Sequence, residues 1–200
     1  MQTNYMMTTF TKIYDKNIWG NGSGCGSTLT HNKQYMDILQ TFMAEKNVKS
    51  VMDIGCGDWQ FSKYMDWTGI DYNGIDCVKS VVEFNNDNYG KENIKFFHMD
   101  ASQTFIPYAF DLVIIKDVLQ HWENDVIIKF MDKLISYGHK YIIIVNTAFS
   151  NFKKDDDAPR TVKNRYHYSK LDATKFPLNQ YNIRVIGRYK FKQISLIQNC

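Results

Sequence analysis

At 200 residues, 44% hydrophobic and 15% aromatic, the chain has the composition of one globular domain, which excludes a disordered or fibrous protein. Lysine plus arginine outnumber the acids 24 to 21, and a net charge of +3 is far too small to announce a nucleic-acid or membrane surface. Cys25, Cys56, Cys77 and Cys200 form no Cys-x-x-Cys pair and have no histidine at zinc-site spacing, so free thiols, no metal centre and a reducing, cytoplasm-like compartment are expected.

The start, Met1 to Lys12, is polar and lacks the apolar core of a secretory signal, and the aliphatic runs are too short to span a bilayer. Residues 17–30 carry Gly20, Gly22, Gly24 and Gly26 at every second position behind Trp19, which predicts a loop. Composition alone would make it a flexible linker. A large aromatic beside small residues suits a lid that folds over a ligand. Tyr35, Ile38, Leu39, Phe42 and Met43 then recur at three- and four-residue steps, the core stripe of an amphipathic helix. The whole is read as one domain, 1–200, with a lid loop and helix in 1–45 and the core in 46–200.

Val51-Met-Asp-Ile-Gly-Cys-Gly-Asp-Trp59 is an apolar run ending in Asp53 followed by Gly55 and Gly57, the pattern of a buried parallel strand and a sharp turn beneath a ligand. A dinucleotide fingerprint would need a third glycine where this chain has Gln60, so a pyrophosphate clamp is disfavoured. A short helix is expected near 60–65, and a second strand from Asp71 ends near Asp76. An acid at that tip suits the two ribose hydroxyls of a nucleoside, and Asp76 is assigned that role ahead of Asp71.

Val78 to Phe84 reads as a helix and Ile94 to Met99 as a third strand closed by Asp100-Ala101. Phe110 to Ile115 is a continuous apolar run, the sheet centre, and Lys116-Asp117-Val118-Leu119-Gln120-His121 follows at its carboxyl end, where open α/β sheets place reactive groups. A helix through Val126 to Ile135 leads to a fifth strand, Tyr141 to Val145, ended by Asn146. Residues 150–170 are polar, with mixed charges and Arg160, Tyr166, His167 and Tyr168, either an ordinary exposed loop or a functional cover. Asn182–Tyr189 and Lys192–Gln198 close the chain as a hairpin. The fold class expected is α/β, a Rossmann-like seven-stranded, mostly parallel sheet with helices on both faces and a C-terminal antiparallel hairpin.

The two-glycine turn flanked by Asp53 and Asp58 resembles the first motif of class I S-adenosylmethionine-dependent methyltransferases, and the resemblance extends over nearly the whole chain. It implies S-adenosyl-L-methionine as cofactor and S-adenosyl-L-homocysteine as product. In that picture Asp53, Gly55, Cys56 and Gly57 pass under the methionine part and receive its ammonium group. Asp100 and Ala101 face the adenine, Trp19 closes over the cofactor, and Lys116 joins the cofactor site or serves only as a salt-bridge partner. Together with the glycine loop, the Lys-Asp-Val-Leu-Gln-His run and the late Tyr-x-Tyr-Ser-x-Leu-Asp segment, the chain resembles small sugar O-methyltransferases of glycan assembly, including the methyltransferase domain of a chlorovirus glycan-building protein. A viral source would place it in the host cytoplasm.

An alcohol acceptor needs a base, and histidine, whose ordinary pKa lies near neutrality, makes His121 the candidate. Asp117 stands four residues before it, placed to orient the ring or to hold a sugar hydroxyl directly. The plainer alternative is that His121 packs the helix start and Asp117 begins it. The resemblance places Asn146, Arg160, Tyr166 and Tyr168 in the acceptor pocket. A small-molecule or glycan acceptor is therefore expected, with no membrane partner and nucleic acid disfavoured. Transfer to another small molecule or to an RNA ribose is the alternative enzyme, though a ribose methyltransferase would want a Lys-Asp-Lys-Glu tetrad. A non-enzymatic binder that keeps only the cofactor pocket is the rival from another class.

Overall fold

The computed structural model describes residues 3–104, 108–149 and 170–199, with side chains from residue 7 onward. Seven strands follow the order β3-β2-β1-β4-β5-β7-β6. They are β1 (Ser50–Ile54), β2 (Asp71–Asp76), β3 (Ile94–His98), β4 (Leu112–Lys116), β5 (Tyr141–Thr147), β6 (Ile183–Tyr189) and β7 (Lys192–Gln198). The expected mostly parallel α/β sheet with a terminal antiparallel hairpin is the observed architecture. The chain divides into two compact units, Met1–Thr104 and Phe105–Cys200.

In the first unit β1, β2 and β3 run parallel, with Asp53 opposite Gly74 and Asp76 opposite His98. Two helices precede them, α1 (Thr3–Asp15) and α2 (Leu29–Glu45). The helix α1 was not expected, although Met6, Phe10, Ile13 and Tyr14 recur at helical spacing within its polar, threonine-rich sequence. The α2 stripe is as read, with Tyr35, Leu39, Phe42 and Met43 buried. Between the helices the glycine loop is closed by Asn32, whose buried amide donates to the carbonyls of Gly26 and Thr28, both at 2.8 Å.

Past β1 the expected short helix is only a single 3-10 turn, Ser62–Tyr64, because Trp59 at φ 57 turns the chain out of helical geometry. That turn drives Trp59 into an aromatic cluster with Trp67, Tyr72 and Phe96, at centroid distances from Trp59 of 6.4, 5.4 and 5.3 Å. Gly74 is needed there. A Cβ on it would stand 2.8 Å from the Phe96 ring and 3.0 Å from Cys56 Sγ, so the strand reaches this packing only without a side chain. The helix after β2, α3 (Lys79–Tyr89), runs a turn further than expected and buries Val81, Val82 and Asn85.

In the second unit β4 and β5 are parallel, while β7 runs antiparallel to β5 and to β6. Its helix, α4 (Asn124–Ser136), buries Ile127, Phe130, Met131 and Leu134. β5 continues two residues past its expected end, since Asn146 and Thr147 pair with Gln193 and Lys192 of β7. No helix among the described residues is long and apolar enough to cross a membrane.

Candidate functional site

The Asp53-to-Trp59 motif forms the strand-and-turn that its sequence predicts. The amides of Gly55 and Cys56 both donate to the Ile75 carbonyl, at 2.8 and 3.1 Å, which folds the turn back onto the end of β2. Gly55 and Gly57 have φ of 72 and 56, a region that glycine enters at little cost. Asp76 locks this arrangement. Its Oδ2 accepts from the Gly57 amide at 3.0 Å and its Oδ1 from the Val78 amide at 2.9 Å, so one buried carboxylate ties the glycine turn to the start of α3. Burial raises the Asp76 pKa, and those amide bonds oppose the shift. Asn85, from α3, donates to the Gly57 carbonyl at 2.7 Å and holds the turn from the other side.

Asp53 lies at the carboxyl end of β1, buried, and its Oδ2 accepts from the Tyr72 hydroxyl at 2.7 Å. Burial first, and the Asp53 charge second, push the Tyr72 pKa well up, so the phenol stays a donor. Asp100 begins the turn after β3. Its Oδ1 accepts from the Ser102 amide at 3.0 Å and the Ser102 hydroxyl at 2.7 Å, while Oδ2 is buried with no hydrogen-bond partner among the described residues. An acceptor left in that state is costly unless a ligand donor meets it. Ala101 beside it is buried. Trp19 packs edge-on against Phe10 and Tyr14 at 6.0 and 6.5 Å, and the loop it leads bonds directly to the glycine turn.

The second unit holds a different cluster. Asp117 ends β4 at φ 62, in the left-handed region that Asp tolerates better than most residues, with its amide on the Val145 carbonyl at 2.8 Å. Its Oδ2 accepts from Lys116 Nζ at 2.7 Å and its Oδ1 from Lys192 Nζ, which also reaches Thr147 Oγ1 at 2.8 Å. Burial alone would raise the Asp117 pKa, but the two ammonium groups outweigh it and hold the carboxyl well below the usual carboxylate range.

The helical i,i+4 face expected for Asp117 and His121 does not form. The left-handed Asp117 and a 3-10 turn at Leu119–His121 intervene, and the α-helix begins only at Asn124. His121 is nonetheless buried on that turn. Next to it Gln120 Oε1 accepts the Thr147 amide at 2.9 Å, fixing the turn against β5. Asn146 is buried, and its Oδ1 has no hydrogen-bond partner among the described residues. Arg160, Tyr166 and Tyr168 lie outside the described residues.

Three participants were missed in the sequence. Ser23 and Tyr14 bond to each other and to the turn region, and nothing in a Gly/Ser-rich loop distinguishes one serine from the next. Lys192 sits in a hairpin strand where an ordinary surface lysine would also stand, and only the antiparallel pairing of β5 with β7 brings it to Asp117. No group of three or more His, Cys, Asp or Glu that could hold a metal occurs among the described residues.

Residues 52–139 match the family model described as a methyltransferase domain. The matched stretch is somewhat less than half of the chain; it begins within β1 and ends just past α4, so it contains the glycine turn, Asp76, Asp100 and the Lys116-to-His121 run. A curated relative, the mitochondrial ubiquinone biosynthesis O-methyltransferase of Schizosaccharomyces pombe, is 26% identical over 132 residues, 60% of this chain and 48% of its own. The chain thus spans about half the length of the curated relative it matches. Two solved methyltransferase-fold structures resemble it across most of both chains. A DhpI–SAH complex has a TM-score of 0.66 at 12% identity and covers 96% of this chain and 94% of its own. The N-methyltransferase NodS of Bradyrhizobium japonicum WM9, in complex with S-adenosyl-L-homocysteine, has a TM-score of 0.62 at 12% identity and covers 86% and 88%. The Rossmann-like methyltransferase fold is what this chain shares with both solved structures.

Proposed function

We propose that the chain is an S-adenosylmethionine-dependent O-methyltransferase whose acceptor is a hydroxyl of a sugar or glycan. The observation that carries the cofactor half is the Asp76 clasp on the glycine turn together with Asp100 Oδ2, which has no hydrogen-bond partner among the described residues. A carboxylate at the second strand tip remains able to accept from two vicinal hydroxyls through its remaining lone pairs, and a buried acceptor one strand further on suits an exocyclic amine. Asp53, with one oxygen held by Tyr72, faces the glycine turn as the counter-charge for an ammonium group, and Cys56 and Gly57 complete the floor.

The cofactor supplies an activated methyl group when bound. In this reading His121 would take the proton of an acceptor hydroxyl presented in line with that methyl group. Asp117 pairs with both Lys116 and Lys192 and acts as a positioning residue for them, so Lys116 is a salt-bridge partner in this reading. Asn146, with an open carbonyl oxygen at the end of β5, accepts from a second acceptor hydroxyl, and Arg160, Tyr166 and Tyr168 are proposed to complete the acceptor pocket.

One observation favours a second reading, transfer to an RNA ribose. Lys192, 75 residues beyond Asp117, joins Lys116 around that carboxylate and supplies the lysine–aspartate–lysine part of the expected tetrad. Incubation with methyl-labelled cofactor and a panel of sugars, nucleotide-sugars, small phenols and a short RNA separates the two. Label on a sugar hydroxyl is the expected result, label on RNA alone selects the second reading, and label on no acceptor at all favours a non-enzymatic binder.

A further inference from the structure

The glycine-rich loop is attached to the cofactor turn by a small set of reciprocal polar contacts that the proposed chemistry does not use. Ser23 and Asp58, 35 residues apart, bond to each other twice: the Ser23 amide donates to Asp58 Oδ2 at 3.1 Å, and the Asp58 amide donates to Ser23 Oγ at 3.0 Å. The Tyr14 hydroxyl meets the same Ser23 Oγ at 2.5 Å. Gln60 then bridges the two segments, donating to Asp58 Oδ2 and to the Asn21 carbonyl, both at 2.7 Å.

The backbones approach too closely for side chains at two points. A Cβ on Gly22 would lie 2.0 Å from Asp58 Oδ2, and one on Gly57 would lie 2.4 Å from Ser23 Oγ and 3.3 Å from the Tyr14 hydroxyl. Gly22 and Gly57 are both at positive φ, so the close approach is built into both strands of the contact. Tyr14 is held neutral by burial, with the Asp76 charge pushing its pKa further up, which places the phenol near the carboxylate that clasps the turn. A loop fastened to the turn by hydrogen bonds, with Trp19 as its large aromatic contact, can open at modest cost, because each such bond contributes little net free energy.

We propose that Tyr14, Ser23 and Asp58 form a latch that shuts the residue 17–28 loop over the glycine turn and sets the rate at which the cofactor leaves. This rests on the cofactor reading above. The three are positioning residues. In this account Ser23 is the keystone, since its hydroxyl accepts from the Asp58 amide while also meeting the Tyr14 hydroxyl, and its amide holds the Asp58 carboxylate.

The test uses the full chain and S-adenosyl-L-homocysteine, with release followed by stopped-flow competition and thermal unfolding recorded in parallel. Ser23→Ala is expected to release the ligand about tenfold faster, the scale of the two hydroxyl hydrogen bonds it removes. Tyr14→Phe, which keeps the ring and removes only the hydroxyl, is expected to fall between it and the parent chain, and it carries the test alone if Ser23→Ala does not fold. Release rates within about twofold of the parent in folded variants would overturn the latch, whatever the melting temperatures do. A parent chain that binds no S-adenosyl-L-homocysteine would instead overturn the cofactor reading itself, so the two failures are distinguishable.

Discussion

Asp117→Ala is expected to destabilise the fold by about 3–5 kcal/mol, the scale of removing one partner from buried ion pairs. The side chains of Lys116 and Lys192 are only 7% and 10% exposed, and both spend a donor on this one carboxylate. Without it two ammonium groups remain at the end of β4 in a poorly solvated setting. Alanine also tolerates φ 62 less well than aspartate, which adds to the loss. Asp117→Asn keeps the shape and the left-handed tolerance and is expected to cost clearly less.

The pH dependence follows from the depressed pKa of the folded-state carboxyl. The stabilisation from Asp117 is fully present above the unfolded-state value near 4 and is lost progressively as pH falls below it toward the folded-state value. Denaturant unfolding of the parent and of Asp117→Asn between pH 7 and pH 3 is the check. The parent should lose more stability over that range than the asparagine variant, and equal slopes would show that the lysine pair does not depend on the charge of Asp117.

His121→Ala is expected to lower turnover by about a hundredfold or more while leaving cofactor affinity nearly unchanged. The imidazole is buried on the 3-10 turn that follows β4, and its neighbour Gln120 anchors that turn to β5, so the loop conformation does not depend on the ring. Single-turnover measurements with saturating acceptor give the chemical step, and calorimetry gives the affinity. Undiminished turnover would remove His121 from the reaction and direct attention to Lys192. A parallel loss of affinity and of thermal stability would make it a packing residue.

The first motif was legible in the sequence because its chemistry is local. A buried strand, two glycines at positive φ and flanking acids occupy nine consecutive residues, and Asp76 follows one strand later at a spacing set by the β–α–β unit. The succession of strands along the chain and the terminal hairpin were equally readable from apolar runs and turn residues. The Asp117–His121 relation was not, because it depended on where the helix begins, and one left-handed residue displaced that start to Asn124. Lys192 and Ser23 were hidden for a different reason. Each acquires its meaning from a partner 75 or 35 residues away, and neither residue type is unusual where it stands. The helix α1 escaped because its stripe of Met6, Phe10, Ile13 and Tyr14 is short and interrupted by threonines.

Asp76 connects the legible part of the site to the proposed chemistry, since it both clasps the glycine turn and occupies the position assigned to the ribose. Calorimetric titration of S-adenosyl-L-homocysteine into the full chain and into Asp76→Ala tests that claim most directly. One-to-one binding by the parent, weakened by about 1.5–3 kcal/mol in the variant, is the predicted result. Absence of binding by the parent, or equal affinity in a folded Asp76→Ala, would contradict it.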